Sequence, residues 1–265
     1  MKHLFFVFLT FSLFLKMEAL EHSMGVLGAL KDHNSPISIS TKLLDDFVEK
    51  GLSSLCIIEG ERNGRLRQWW YGDRPGGTGF FITREGHMIT CKHVSNVLKS
   101  PNAFLGLTGQ LIKVSIVAEH PTEDIAILKI DEPHNINFSY LEMSFIPEKI
   151  GDWVFSLRGR AIIDGSYLFA LPSLGKVIGY LKGKVVENVN IEYISRVVLS
   201  MGATDGNSGS PLFNLEGKVI GILTDKLGIS ADECAGGFVG ALPIHRVKDW
   251  IEETLRSDGY FETLD

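Results

Sequence analysis

The chain has 265 residues, 45% of them apolar, which is enough for one large domain or two small ones that share a core. Its formal net charge is −6 and its Lys and Arg residues do not cluster. A phosphate-binding surface is therefore excluded, and nucleic acid is not the expected partner.

Residues 1–20 start with Lys2 and run into the apolar stretch Leu4 to Leu15, broken only by Thr10 and Ser12. A bilayer span needs about 20 such residues. The segment reads as a secretory signal peptide. Met17-Glu18-Ala19 is a poor small-x-small cleavage site, so an uncleaved N-terminal anchor or a buried N-terminal element stays open. The expected location is outside the cytoplasm, periplasmic or secreted, with membrane tethering as the variant. Residues 21–40 form an arm carrying Ser35-Pro36. In "STKLLDDFVEKG" Leu43, Leu44, Phe47 and Val48 fall at helical spacing, with Ser40 or Thr41 as cap and Gly51 as stop. Residues 21–52 are therefore assigned to an arm and a short helix.

After Gly51 the period shortens. "SSLCIIEGE", "GTGFFIT", "HMITCKHV", "QLIKVSIVAE", "DIAILKI", "DWVFSL" and "GKVIGYL" are short apolar runs. Turn pairs such as Glu85-Gly86, Asp164-Gly165 and Glu216-Gly217 separate runs of this kind. This spacing predicts an all-β barrel or sandwich. The helical period returns in "PIHRVKDWIEETLRSDG", where Val247, Trp250, Ile251 and Leu255 share a face. Residues 244–256 are the predicted C-terminal helix and 257–265 a tail, which leaves no length for an appended domain. Three cysteines, Cys56, Cys91 and Cys234, leave at least one thiol unpaired and no role is assigned to them. With no Cys-x-x-Cys and no His-Glu-x-x-His, the sequence calls for neither metal nor cofactor.

One short stretch, "TDGNSGSPLF", concentrates conformational freedom around Ser208. A serine hydroxyl attacks only when a base takes its proton, and it must stand clear of its own backbone. Gly206 and Gly209 permit that turn, and the same turn can aim the N–H groups of Gly206 and Ser208 at one oxyanion. A plain turn between strands would use the same residues. The partners tip the balance: "HMITCKHVSNV" sets His93 at the end of a strand, and "HPTEDIAILKI" sets Asp124 just before another. Serine, a histidine base and a carboxylate that orients it are the parts of nucleophilic acyl transfer.

These blocks together resemble the chymotrypsin-like serine proteases, in particular the Deg/HtrA branch, and also the glutamyl endopeptidases. "GTGFFITREGHMITCKHV" is similar to the block that holds the base, "EDIAILKI" to the block of the acid, and "GNSGSPLFNLEGKVIGI" to that of the nucleophile. "GGFVGALPIHRVKDWI" is a weaker likeness to the last strand and helix. The order His, Asp, Ser is the one this family uses, not that of the lipases and esterases. The resemblance covers roughly residues 53–256. It implies two packed antiparallel Greek-key β-barrels, about 53–145 and 146–243, with the cleft between them. It implies a catalytic set of His93, Asp124 and Ser208, an oxyanion hole at Gly206 and Ser208, no cofactor, and protein or peptide substrates.

Departures qualify the likeness. Ile222-Leu223-Thr224 lacks the histidine that glutamyl endopeptidases carry on this strand. Asn207 precludes the ion pair by which an Asp there activates digestive trypsins, and the block before His93 reads Thr90-Cys91-Lys92, where small or amide residues are more common. The resemblance places the substrate pocket at Gly202, Ala203 and Asp205 and at Leu223, Thr224 and Asp225. Small uncharged residues there imply cleavage after Val, Ala or Leu, unless Asp205 or Asp225 turns inward and favours a basic side chain. The N-terminal arm is a candidate for homo-oligomer contacts, as in Deg/HtrA trimers. The rival function is a catalytically silent binding or chaperone-like protein on the same fold.

Overall fold

The computed structural model describes residues 49–61, 76–96, 98–106, 108–133, 136–158, 161–163, 166–168, 171–181, 196–201, 206–227 and 238–264. The leader at 1–20, the arm at 21–40 and Cys234 lie outside the described residues.

Six strands close the first barrel: β1 Leu55–Glu61, β2 Gly76–Phe81, β3 His87–Thr90, β4 Lys99–Leu105, β5 Leu111–Glu119 and β6 Ala126–Ile130. They follow the order β1-β2-β3-β6-β5-β4, every pair antiparallel. Phe80 faces Leu55 on one side and Ile89 on the other, and Ile89 pairs with Ile127, so one register carries a continuous apolar layer. β2 and β3 are buried on both faces, which is why "GTGFFIT" and "HMIT" read as apolar runs rather than as an alternation. Leu111 to Val114 in β5 does alternate, with Ile112 and Val114 inside.

β4 was not among the predicted runs, because Ser100, Pro101 and Asn102 break its pattern. Its pairing with β1 slips between Glu59 and Glu61, and Ser100, at φ 51°, falls in the slip with Pro101. A bulge is where a strand tolerates a residue that cannot donate to the ladder.

The second barrel comprises β7 Trp153–Arg158, β10 Leu171–Leu181, β11 Arg196–Leu199, β12 Pro211–Phe213, β13 Val219–Leu227 and β14 Phe238–Pro243. Their order is β10-β11-β14-β13-β12-β7, again closed. β8 Ala161–Ile163 and β9 Ser166–Leu168 pair as a separate hairpin. Val154, Val177, Val197, Leu212, Ile220 and Leu223 fill the second interior. Phe213, Ile222 and Leu242 belong instead to the cluster that fills the first barrel, so the two barrels share one apolar seam.

A 3-10 turn, Ile244–Val247, leads into a helix at Lys248–Ser257. Val247, Ile251 and Leu255 are buried and Trp250 packs beside them, which is the predicted face. The Trp250 ring meets the His120 ring edge-on at 5.0 Å, so the end of the chain returns to the first barrel. Each buried aliphatic side chain contributes about 1.5–3 kcal/mol.

The predicted N-terminal helix needs correction at its end. Helix persists past Gly51 to residue 54, and its earlier part lies outside the described residues. The hydroxyls of Ser53 and Ser54 donate to the carbonyl of Lys50 and close the last turn. A Cβ at Gly51 would lie 2.2 Å from Leu157 Cδ1, so this glycine serves close packing on the second barrel rather than termination.

Candidate active site

β3 ends at Thr90, and the chain turns at Cys91 into a single helical turn, Lys92–Ser95, labelled α1. His93 sits on that turn with half of its side chain exposed. Asp124 lies in the loop that leads into β6. That loop is held by local bonds: the N–H groups of Thr122 and Glu123 donate to His120 Nδ1, at 3.2 and 2.9 Å. Lys92 Nζ donates to the carbonyl of His120 at 2.6 Å. Lys92 thus ties the turn that carries His93 to the loop that carries Asp124.

Asp124 grips His93 twice. Its Oδ1 accepts the backbone N–H of His93 at 2.9 Å, and its Oδ2 lies 2.7 Å from the ring Nδ1. Burial pushes the Asp124 carboxyl up, but the two His93 hydrogen bonds, the His93 charge and that of Arg196 outweigh it. The net result is a pKa below the usual carboxylate value. An ionised Asp124 makes Nδ1 the protonated nitrogen, which leaves Nε2 with a lone pair to accept a proton.

Ser208 stands in the turn before β12, between Gly206 at φ 90° and Gly209 at φ 87°. It is half-buried, and its Oγ lies 3.4 Å from the carbonyl of Thr224. Thr224 is the extra residue of a bulge: Leu223 pairs with Ala241 and Asp225 with Gly240, and Thr224 is left out of the ladder. A bulge beside a site re-aims the backbone, here by turning a carbonyl toward the serine.

The first barrel reaches across to the serine turn. Thr78 of β2 donates its N–H to Ser208 O at 2.8 Å and its Oγ1 to Gly206 O at 2.9 Å. Thr90 Oγ1 in turn donates to Thr78 O at 2.8 Å. Cys91 Sγ donates to Leu223 O at 3.2 Å, and that same carbonyl accepts the N–H of Gly209. Cys91 and Cys56 are buried thiols outside any disulfide, and burial pushes the Cys56 thiol up in pKa. The ligand atoms of Cys91, His93 and Asp124 lie within 4.8 Å of one another.

Of the three residues named from the sequence, the structure brings His93 and Asp124 into contact and sets Ser208 in a turn bonded to Thr78 of the first barrel. Gly206 lies two residues before Ser208 in the same turn. Among the pocket residues, Leu223 is buried in the second barrel interior, and Thr224 Oγ1 donates to Gly240 O. Gly202, Ala203 and Asp205, and the side chain of Asp225, lie outside the described residues. Thr78, Lys92 and Arg196 were not foreseen as part of the site. Lys92 carried a signal as a departure from the resembled family, and Arg196 as a charge opening the apolar strand "RVVL"; Thr78 carried none.

A profile of the trypsin-like peptidase domain matches residues 77–222, more than half of the chain. Among curated proteins, a DegP-like periplasmic serine endoprotease of Rhizobium meliloti is 29% identical over 73% of this chain and 35% of its own length. One of Bartonella henselae is 28% identical over 81% of this chain and 39% of its own. The chain thus spans little more than a third of these relatives. Among solved structures, the HtrA-type protease AlgW with a tripeptide superposes at a TM-score of 0.60 and 17% identity. That match covers 82% of this chain and 64% of the other, and it speaks for the fold alone.

Proposed function

Because the chain belongs to the trypsin-like peptidase family, we propose that it is a serine endopeptidase that cleaves peptide bonds through an acyl-enzyme. The observation that carries this reading is the double grip of Asp124 on His93, at 2.7 and 2.9 Å, in the seam that also holds Ser208.

In this mechanism Ser208 Oγ attacks the scissile carbonyl carbon as His93 Nε2 takes its proton. The carbonyl oxygen becomes an oxyanion, held by the N–H groups of Gly206 and Ser208. One such donor typically accounts for about 3 kcal/mol of barrier. Collapse of the intermediate breaks the C–N bond, and the imidazolium returns the proton to the leaving amine. Water then repeats the sequence on the ester and frees Ser208. Asp124 stays ionised throughout, fixing the tautomer and stabilising the imidazolium.

The likeness to DegP-like periplasmic serine endoproteases supports export by the apolar leader and protein or peptide substrates; a role in protein quality control is part of the proposed reading. The small residues Gly202 and Ala203 support cleavage after Val, Ala or Leu. One methylene is worth only about 1–3 kcal/mol in such a pocket, so discrimination is limited.

A fluorophosphonate probe tests the reading: it labels Ser208 in the wild type and leaves folded Ser208→Ala unlabelled and inactive on casein. Full activity in Ser208→Ala would end it. A peptide-library digest checks the pocket, and dominant cutting after Lys or Arg would point to an inward Asp205 or Asp225.

A further inference from the structure

We infer that Arg196 is a positioning residue, clamping the Glu123–Asp124 corner of the first barrel onto the bulged strand whose Thr224 carbonyl faces Ser208. The inference rests on the protease reading of the same site.

Arg196 opens β11 and is 8% exposed. A guanidinium so enclosed requires partners that match its planar fork. Nε donates to Thr224 Oγ1 at 3.1 Å, and Nη1 donates to Glu123 Oε2 at 3.4 Å. The other oxygen of the same carboxylate takes Arg246 Nη2 at 2.9 Å. Glu123 is itself buried, so its charge too is removed from water.

These contacts join the two halves of the site. Glu123 is the chain neighbour of Asp124, which orients His93. Thr224 is the bulged residue whose carbonyl lies 3.4 Å from Ser208 Oγ. Arg196 touches both, so its length sets how the acid and base of one barrel stand relative to the nucleophile of the other. The Glu123 carboxylate takes both guanidiniums, Arg196 and Arg246, and the Arg196 charge also favours the ionised form of Asp124. The Thr224 hydroxyl, accepting from Arg196 and donating to Gly240 O, is fixed in rotation and helps hold the bulge in shape. A lysine would carry all its donors on one atom and would lack the rigid, spaced fork that reaches Thr224 from Nε and Glu123 from Nη1.

A staple that only holds the barrels together would affect melting and leave turnover alone. A positioning residue affects turnover while substrate binding persists, because a displacement of about 1 Å at a reacting group can cost on the order of 10²-fold in rate. The test measures kcat, KM, the rate of fluorophosphonate labelling and the melting temperature for the wild type, Arg196→Gln, Arg196→Lys and Glu123→Ala. We expect labelling and kcat to fall by about 10- to 100-fold in Arg196→Gln, with KM within about twofold and only partial recovery in Arg196→Lys. Glu123→Ala should show the same pattern, and it decides alone if Arg196→Gln does not fold. Wild-type kcat and labelling in both variants, whatever their melting temperatures, overturn the inference. A wild type that is neither labelled nor active on casein overturns the protease reading, and this inference with it.

Discussion

The backbone N–H of Thr78 donates to the carbonyl of Ser208 at 2.8 Å, so the proposed nucleophile is held by the opposite barrel. The approach is close enough to forbid side chains. A Cβ at Gly77 would lie 2.7 Å from Ser208 O, and one at Gly209 would lie 2.0 Å from Thr78 O. Gly77 of "GTGFF" and Gly209 of "GNSGSP" are therefore two sides of one contact, in which β2 and the serine turn meet backbone to backbone.

Gly209→Ala should be far more damaging than Gly151→Ala. Both sites have positive φ, 87° and 97°, and both variants incur about 1–2 kcal/mol of left-handed strain. At Gly151 nothing lies within 4 Å of the added Cβ, whereas at Gly209 it runs into the Thr78 backbone. Gly151→Ala is expected to melt slightly lower and keep its activity; Gly209→Ala is expected to lose activity and melt much lower. Thermal melts and casein digestion compare them, and equal losses would show that strain rather than the inter-barrel contact governs Gly209.

Thr78→Val removes one hydroxyl and keeps the shape. The bond lost is Thr78 Oγ1 to Gly206 O, which fixes the peptide following the proposed oxyanion donor. Such a bond is worth about 0.5–1.5 kcal/mol. The expected result is a severalfold drop in kcat with KM little changed. Unchanged kcat would mean that the turn holds its geometry without this hydroxyl.

The parts of this site that were legible in the sequence are those fixed by local chain chemistry. Ser208 stood out through its flanking glycines, and His93 and Asp124 through their places at strand ends. Val247, Ile251 and Leu255 announced their helix because period and burial coincide along one face. What stayed hidden depends on pairing across the chain. Thr224 becomes special only because β13 slips against β14 there. Arg196 reads as a misplaced charge until Glu123 and Thr224 are brought to it. The end of the first helix was misread because Gly51 looks the same whether it stops a helix or lets it pack on Leu157.

Stability should fall on mild acidification through His87. Its ring is fully buried, Nε2 lies 3.0 Å from Asp258 Oδ2, and Nδ1 lies 2.8 Å from Thr83 Oγ1. Burial pushes the pKa down, the hydrogen bond to Asp258 opposes this, and Lys129 adds to the lowering, so the net shift is downward. An unfolded histidine takes up its proton at about pH 6.5, and the folded one only at lower pH. The unfolded state therefore binds more protons between those values, and stability drops as pH falls through that window. His245, lowered by burial and by Arg246, adds to the same slope. His87→Gln keeps a donor for Asp258 and cannot titrate, so its melting temperature should fall less between pH 7 and 5 than that of the wild type. Parallel profiles would remove His87 from the account.

Glu148 presents the opposite sign. It lies in the crossing between the barrels, its side chain 3% exposed, and neither carboxyl oxygen has a hydrogen-bond partner among the described residues. The nearest cationic group is His245 Nδ1, 3.7 Å from Oε2, and burial pushes that imidazole toward its neutral form. Burial raises the Glu148 pKa, the residue's own backbone N–H opposes this in part, and the Asp152 charge adds to the rise, so the net shift is upward. A group raised in the folded state favours folding fully below its unfolded value, about 4.3, and that contribution is lost as pH rises through the folded value. At neutral pH the carboxylate therefore works against the fold. Glu148→Gln has the shape of the protonated acid and no charge to bury. It should match the wild type near pH 4 and exceed it at pH 7.5 by about 1–3 kcal/mol, the cost of an unsatisfied buried group. Melting curves at the two pH values decide the matter, and a variant less stable than the wild type at pH 7.5 would mean that His245 holds its proton and compensates the charge.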